Sequence, residues 1–423
     1  MDRILEDVKK YKEYMVEMRR YFHRHPELSG QELKTIERIS QELGEMGIEH
    51  QVIEDGGILA EIRGSASGKT VLLRADVDAL PVQESECNLA GPKAVVSENK
   101  NAAHLCGHDA HTAMLLGAAK VLQERREEFP GRVLLVFERG EEATYNLVHI
   151  MKYIQEHNIE IDTGFGCHVA NFLETGKTAV QIGPAFAGYL SFTVRIIGTG
   201  GHGSRPDEAR NPIDCFAAIA GEINCYRTKY ISPFEPFSIS IGSVHGGSAE
   251  NIIPGEVVFS GSCRIFNIET ADMIAERLRA TVKNMCAEFE CTSEIEIPPI
   301  MVPVINHRDC AELAKRAIEN AVGSEHMVDS EAWMGSESFS MISSLWPSVF
   351  ISLGIKNDKK GTGAPHHNSM FDIDEEALPI GAAAHVAYAT AFLSSSLDPK
   401  EDRYAGTIEE FHRSLQMDFG VFD

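Results

Sequence analysis

The chain is 423 residues long, 43% apolar and 24% charged, with a formal charge of −24. That length exceeds one simple core, so two domains, or one domain carrying a large insertion, are expected. The acidic balance argues against nucleic acid or an anionic membrane as partner, but leaves a small anionic substrate open, because one local arginine outweighs distant, screened charge.

Met1-Asp2-Arg3 is polar and leads straight into apolar residues at helical intervals (Ile4, Leu5, Val8, Tyr11, Met15, Met18, Phe22), which predict a helix over 4–22. No signal peptide is read there, and no apolar run approaches the length that spans a bilayer. Nine cysteines without a pairing rhythm, with Cys215, Cys225, Cys263 and Cys286 inside expected elements, read as free thiols in a reducing cytoplasm. Ser29 with Glu32 three residues on is a capping-box pattern, predicting a second helix that stops at Gly47. Strands are expected at 58–62, 71–73 and 133–137, and in a short run ending at His168. Between the second and third, Met114, Leu115, Ala118, Val121 and Leu122 mark one buried face of a helix over 112–124. Strands alternating with helices imply an α/β sheet, largely parallel.

The character changes after Pro184. Residues 190–196 alternate as a strand with one wet face, and Asn211-Pro212 caps and opens a helix. Strands at 237–244 and 257–265, a helix from about 269 to 289 and a strand at 293–297 complete a β-α-β-β-α-β order, the ferredoxin-like unit. Bracketed by Gly183-Pro184 and Pro298-Pro299, it reads as an insertion at 186–298. The catalytic domain then comes in two pieces, 1–185 and 299–423, the second with elements at 310–322, 348–354 and about 374–393. The acidic, polar tail beyond Pro399 has no readable motif.

Chemistry concentrates in His104-Leu105-Cys106-Gly107-His108-Asp109-Ala110-His111, where a loop enters the helix. Thiolate, imidazole and carboxylate are the groups that hold divalent transition metals. Taken singly, each candidate has a plain reading. Cys106-Gly107-His108 could be a buried thiol beside a helix-starting aspartate, Glu141-Glu142 a solvated pair, His168 a core histidine and His367 a surface turn residue. Their joint placement at strand ends, with Asp76 and Asp78, favours a hydrolytic metal site, because chemistry in such sheets gathers beyond the carboxyl ends of the strands.

The segments Leu73-Arg-Ala-Asp76-Val-Asp78-Ala-Leu-Pro81, His104 to Met114, Gly198-Thr-Gly-Gly-His202-Gly-Ser and Asn251-Ile-Ile-Pro254 resemble a group of metallohydrolases. That family holds aminoacylases, glutamate carboxypeptidases and related peptidases; the branch is that of hippurate hydrolases and indole-acetyl-amino-acid hydrolases. The resemblance runs from about Tyr21 to Leu378. It implies a zinc-peptidase-like α/β fold, a mixed sheet flanked by helices, with an inserted ferredoxin-like lid that also makes a homodimer. It further implies Cys106, His108, Glu142, His168 and His367 as ligands of two divalent ions (zinc or manganese, with cobalt able to replace them) and Glu141 as general base. His202 matches a histidine that reaches the partner subunit's active site, Asn251 and Arg264 fall near positions that hold the substrate carboxylate, and Asp78 supports the metals from behind.

Three stretches depart from the family's pattern. Glu138-Arg139-Gly140 stands where glutamine, proline and alanine are usual, Ala143-Thr-Tyr-Asn146 replaces a glycine-rich stretch, and the Asn368-Ser369-Met370 run lacks the usual proline. The implied reaction is cleavage of an N-acyl amino acid, or a similar small-molecule amide, by a cytoplasmic metal-dependent amidohydrolase. A dipeptidase or carboxypeptidase is the second enzymatic reading, and a catalytically silent metal- or ligand-binding relative the third. His104 and His111 are expected to hydrogen-bond around the loop, His23 and His25 to be structural or crevice-lining, and Trp333 and Met334 to line an acyl pocket or pack in a core.

Overall fold

Runs of Val and Leu without polar alternation make strands covered on both faces, and the first half of the chain supplies several. In the computed structural model, which describes residues 3–417 and 420–422, the polar start at Met1 and Asp2 lies outside the described residues. The first helical run is broken into α1 (Ile4–Lys9) and α2 (Lys12–Arg24), because the Lys10 and Tyr11 amides bond only three residues back, to Asp7 and Val8. There follow α3 (Leu33–Glu45), β1 (Glu49–Ile53), β2 (Gly57–Arg63), β3 (Thr70–Asp76), α4 (His108–Glu124), β4 (Arg132–Glu138), α5 (Leu147–Glu156), β5 (Thr163–Glu174) and β6 (Thr178–Ala179). Next come β7 (Gly188–Ile197), β8 (Gly201–His202), α6 (Pro212–Lys229), β9 (Ser238–Gly246), β10 (Ile252–Ile253), β11 (Glu256–Ile265), α7 (Ile268–Glu288) and β12 (Thr292–Glu296). The chain closes with α8 (Arg308–Val322), β13 (Ser348–Lys356), α9 (Leu378–Ser394) and α10 (Ile408–Ser414).

Two compact units result. One comprises Met1–Ala185, Ile305–Glu331 and Met341–Asp423, the other Phe186–Val304 and Ala332–Ser340. Residues 299–304 and 332–340, expected in the second catalytic piece, thus fall with the insertion.

Among the described residues the first unit holds a seven-stranded sheet in the order β1-β2-β4-β3-β5-β13-β6. Its centre is parallel (β4, β3, β5, β13), but β1, β2 and β6 pair antiparallel, so the sheet is mixed and not largely parallel. Every residue of β3 is buried, and α4 is buried through nearly all its length. By length and composition Glu375–Ser394 could cross a membrane, contrary to the expectation of no such run, yet 83% of its most apolar window is buried inside the fold, as in a core helix.

The second unit's four-stranded sheet runs β9-β11-β7-β12, all antiparallel, with α6 and α7 supplying the apolar side chains beneath it. In chain order its elements are β7, β8, α6, β9, β10, β11, α7 and β12, so the two short strands β8 and β10 were not among the elements expected. Asn211 caps α6 as expected, its side chain accepting from the Ile213 amide at 3.1 Å.

Candidate metal centre

The Cys106–His108 turn is possible only because Gly107 separates the two donors. Its φ is +99°, and a Cβ there would lie 2.4 Å from Val169 Cγ2. The turn delivers Cys106 from the loop and His108 from the first residue of α4. His168 lies on β5, six residues in, and the strand does not end there as expected: it continues to Glu174 by pairing with β13. Glu141 and Glu142 sit not at the end of β4 but in the turn three and four residues beyond it. His367 comes from a separate loop, in the left-handed region (φ 64°), its amide bonded to Leu105 O.

Two of the three imidazoles have the tautomer of the neutral ring set by a partner. His108 Nδ1 lies 2.9 Å from Asp78 Oδ1. A carboxylate only accepts, so Nδ1 carries a proton and, in the neutral ring, Nε2 keeps its lone pair. His168 Nδ1 donates to Val169 O at 2.7 Å, again freeing Nε2, which lies 3.5 Å from Cys106 Sγ. Glu142 Oε1 is 3.3 Å from His367 Nε2 and 3.8 Å from His108 Nε2. Neither Glu142 Oε1 nor His108 Nε2 makes an aligned hydrogen bond, although both are buried.

Buried polar atoms left without a hydrogen bond, as Glu142 Oε1 and His108 Nε2 are, cost free energy unless a cation joins them. Ligands of one tetrahedral zinc lie roughly 3.3–3.6 Å from each other, close to the 3.3, 3.5 and 3.8 Å found here. Within 4.8 Å of one another lie the ligand atoms of Cys106, His108 and His168, those of Cys106, Glu142 and His367, and those of His108, Glu141 and Glu142. The residues fit a bound divalent cation. Burial, reinforced by the Glu142 charge, pushes the Cys106 thiol up, so a cation is what makes it a thiolate at neutral pH.

Asp76, His108 and His111 also approach one another, but His111 has no nitrogen to spare. Its Nδ1 donates to Asp76 Oδ1 at 2.6 Å and its Nε2 accepts from the Val169 amide, which fixes β5 beside His168. That agrees with a hydrogen-bonding role for His111. His104 departs from the expectation: it is buried, neither ring nitrogen has a hydrogen-bond partner, and burial brings its pKa down to about 4.

Three supporting carboxylates lie behind the donors. Asp78 accepts from His108 with one oxygen and from the Glu142 amide, at 3.0 Å, with the other. Burial opposes its ionisation, but the His108 hydrogen bond and charge outweigh that and hold it below the usual carboxylate range. Asp109 Oδ2 contacts His23 Nδ1 at 2.8 Å and pairs with Arg19 Nε at 2.9 Å. His23 Nε2 reaches Glu84 at 2.8 Å, and Glu84 also takes Lys93 at 2.7 Å. His23 is therefore structural, whereas exposed His25 bonds Tyr21 O and faces Glu98 at 3.6 Å.

Sequence reasoning missed the third, Glu32. The expected capping box does not form: α3 starts at Leu33 without a side-chain cap, and the Ser29 hydroxyl donates to Asp78 instead. Glu32 is buried against Arg139, 107 residues away, and no local pattern announces such a pair.

In the second unit, His202 lies on the two-stranded ribbon of β8 and β10 and Asn251 in the turn just before β10, both exposed. His202 Nδ1 accepts from the Ser204 amide at 3.1 Å, which leaves the proton of the neutral ring on Nε2, as a donor. Arg264, on β11, stacks 4.5 Å over Tyr189 and donates to Ser336 at 3.0 Å. Trp333 meets Phe186 edge-on at 5.1 Å, as a packing residue does.

Comparison with known proteins agrees with this geometry. Residues 72–391 match the model of Peptidase family M20/M25/M40. A thermostable carboxypeptidase 2 of Saccharolobus solfataricus is 32% identical over 399 residues, 93% of this chain and 98% of that one. IAA-amino acid hydrolase ILR1-like 2 of Arabidopsis thaliana is 31% identical over 413 residues, 95% and 89% of the two chains. The crystal structure of the Bacillus subtilis YXEP protein, described as a dinuclear metal binding peptidase from the M20 family, superposes with a TM-score of 0.76 at 28% identity, over 91% of this chain and 99% of that one. The chain belongs to Peptidase family M20/M25/M40, an enzyme family of metal-binding peptidases and amidohydrolases.

Proposed function

We infer that the chain is a dinuclear amidohydrolase that cleaves N-acyl amino acids, with Cys106, His108, Glu142, His168 and His367 as ligands and Glu141 as the proton carrier. The observation that carries this reading is the mutual approach of the potential ligand atoms of Cys106, His108, Glu142, His168 and His367, with Glu141 beside His108 and Glu142. Two of the ligand groups include Cys106, whose soft thiolate would favour zinc, with manganese or cobalt able to stand in.

Bound divalent ions supply Lewis-acid polarisation of the amide carbonyl and lower the pKa of water. The protein's own groups do the rest. Glu141 takes the proton of the attacking water and delivers it to the departing nitrogen. Asp78 holds His108 in its ligating tautomer. His202 donates from Nε2 to the developing oxyanion, and Asn251 and Arg264 take the substrate's carboxylate.

The homodimer through the inserted unit, with His202 serving the partner's site, belongs to this proposal; exposed Val244 and Ile252 on that unit are consistent with a covered face. A reducing cytoplasm suits nine cysteines that all stand free.

A carboxypeptidase is the second reading, favoured by the Saccharolobus relative. It uses the same site, because its leaving group is also an amino acid. Metal analysis and a panel of benzoyl, acetyl and indole-acetyl amino acids beside blocked dipeptides separates them. Glu141→Gln is expected to keep both metals and lose ~10²–10⁴-fold in kcat. Full activity in that variant removes Glu141 from its role, and full metal loading with no hydrolysis of any substrate leaves a silent relative.

A further inference from the structure

Glu141 carries its proton only if its turn holds it still, and that turn contains no proline and no regular secondary structure. Two buried carboxylates anchor it, one on each side. On the near side Glu32 Oε1 accepts from the Gly140 amide at 2.8 Å and from the Gly30 amide at 2.9 Å. Its other oxygen takes Arg139 Nε at 2.9 Å, while the same guanidinium donates to Gly30 O at 2.7 Å. On the far side Asp78 Oδ2 accepts from the Glu142 amide.

We propose that Glu32 and Arg139 are positioning residues for the reaction, a buried ion pair that fixes the turn bearing Glu141 and Glu142. The backbone between the anchors is only three residues long, and Glu141 lies in the middle.

The turn's shape depends on the same contacts. Gly140 has φ +73°, and a Cβ there would lie 1.9 Å from Thr144 Oγ1. Its carbonyl accepts from the Thr144 and Tyr145 amides at 3.0 and 2.8 Å, and Tyr145 is forced to a left-handed φ of 51°. A conformation that unfavourable persists only where surrounding contacts over-determine it. Arg139 also ties the turn to the sheet, because its amide donates to Gly56 O at 3.1 Å, just ahead of β2. Neither side chain of the pair is among the metal-ligand groups, so both act through the glutamates that follow.

This inference rests on Glu141 as proton carrier, and the test keeps the two apart. Removing one partner strands a buried charge and can unfold the chain. Arg139→Met is therefore paired with the double variant Glu32→Gln/Arg139→Met, which leaves no lone charge, and with Arg139→Lys. The readouts are kcat, KM, Tm and the affinity for zinc by chelator competition. A 1 Å displacement at a reacting group costs about 100-fold. The folded double variant at saturating zinc is expected to lose at least ~10-fold in kcat with KM within about twofold, and to bind zinc more weakly, because Glu142 rides on the same turn; Arg139→Lys recovers part of both. A folded double variant with the parent's kcat and zinc affinity overturns the proposal. If Glu141→Gln remains active, the proton-carrier reading fails by itself, and zinc affinity still decides whether the pair positions the turn.

Discussion

The two compact units hold their candidate groups in opposite ways. In the first, every histidine donor but His367 is buried and has its second nitrogen committed, His108 to Asp78 and His168 to Val169 O. In the second, His202 stands on an exposed two-stranded ribbon and Asn251 in the exposed turn that leads into it, with Ser204 the fixing contact of the His202 ring. Groups that hold a cation need a fixed cage, because donor atoms displaced by a few tenths of an ångström lose the coordination distance. Groups that meet substrate must stay accessible, and an exposed ribbon supplies that at a cost in order.

The sharpest way to break this comparison is His202→Ala. If the ribbon histidine supplies an oxyanion donor, kcat falls ~10²–10³-fold while metal content stays at the parent level. Atomic absorption alongside steady-state kinetics reads both. Unchanged kcat would mean that the second unit has no part in the chemistry.

Asp78→Asn tests the caged side. An amide can donate to His108 Nδ1 and turn the ring's lone pair away from the cluster, and it loses one of the two acceptors shared between His108 and the Glu142 amide. Metal affinity or activity should drop ~10–100-fold, measured by chelator competition. Parent-like affinity would show that neighbouring packing, not Asp78, orients the ring.

The division between units also marks what sequence could reveal. Apolar runs such as Val133 to Phe137 and the buried face of α4 are local patterns, so their elements follow from the sequence, as do the long strands and helices of the second unit. The ligand segment was legible because Cys106, Gly107 and His108 are adjacent. Partners far apart in the chain were not. Ser29 and Glu32 carry a capping signature, yet burial assigns them to Asp78 and Arg139, and a tertiary ion pair overrides a local cap. The break at Lys10 and Tyr11 has no Pro or Gly to announce it. Two anchors of the tail are remote, Arg403 with Asp162 and the Glu409 amide with Gln155, whereas the local Thr407–Glu410 capping box that opens α10 was a pattern sequence reasoning missed.

The smallest expected effect lies behind the cage, in the chain Arg19–Asp109–His23–Glu84–Lys93 that ties α2 to the start of α4. Burial opposes ionisation of Glu84, but the His23 hydrogen bond and charge, with Lys93 and the Ser97 amide, outweigh it and bring its pKa down from 4.5 to about 2. A depressed carboxylate contributes stability that is complete above 4.5 and lost as pH falls toward 2. His23 runs the other way. Burial and Arg19 oppose its charge, yet Asp109 and Glu84 leave its pKa raised above 6.5, so its contribution is complete below 6.5 and fades as pH climbs through the raised value. The chain is therefore tightest in the mildly acidic range between these limits. Glu84→Gln should lower Tm by roughly 2–4 °C near pH 5.5, and the gap to the parent should narrow as pH falls from 4.5 toward 3. Calorimetry across that range reads the difference directly. A gap that stays constant with pH would assign Glu84 a packing role with no contribution from its charge, and the α2–α4 junction would then rest on Arg19 and Asp109.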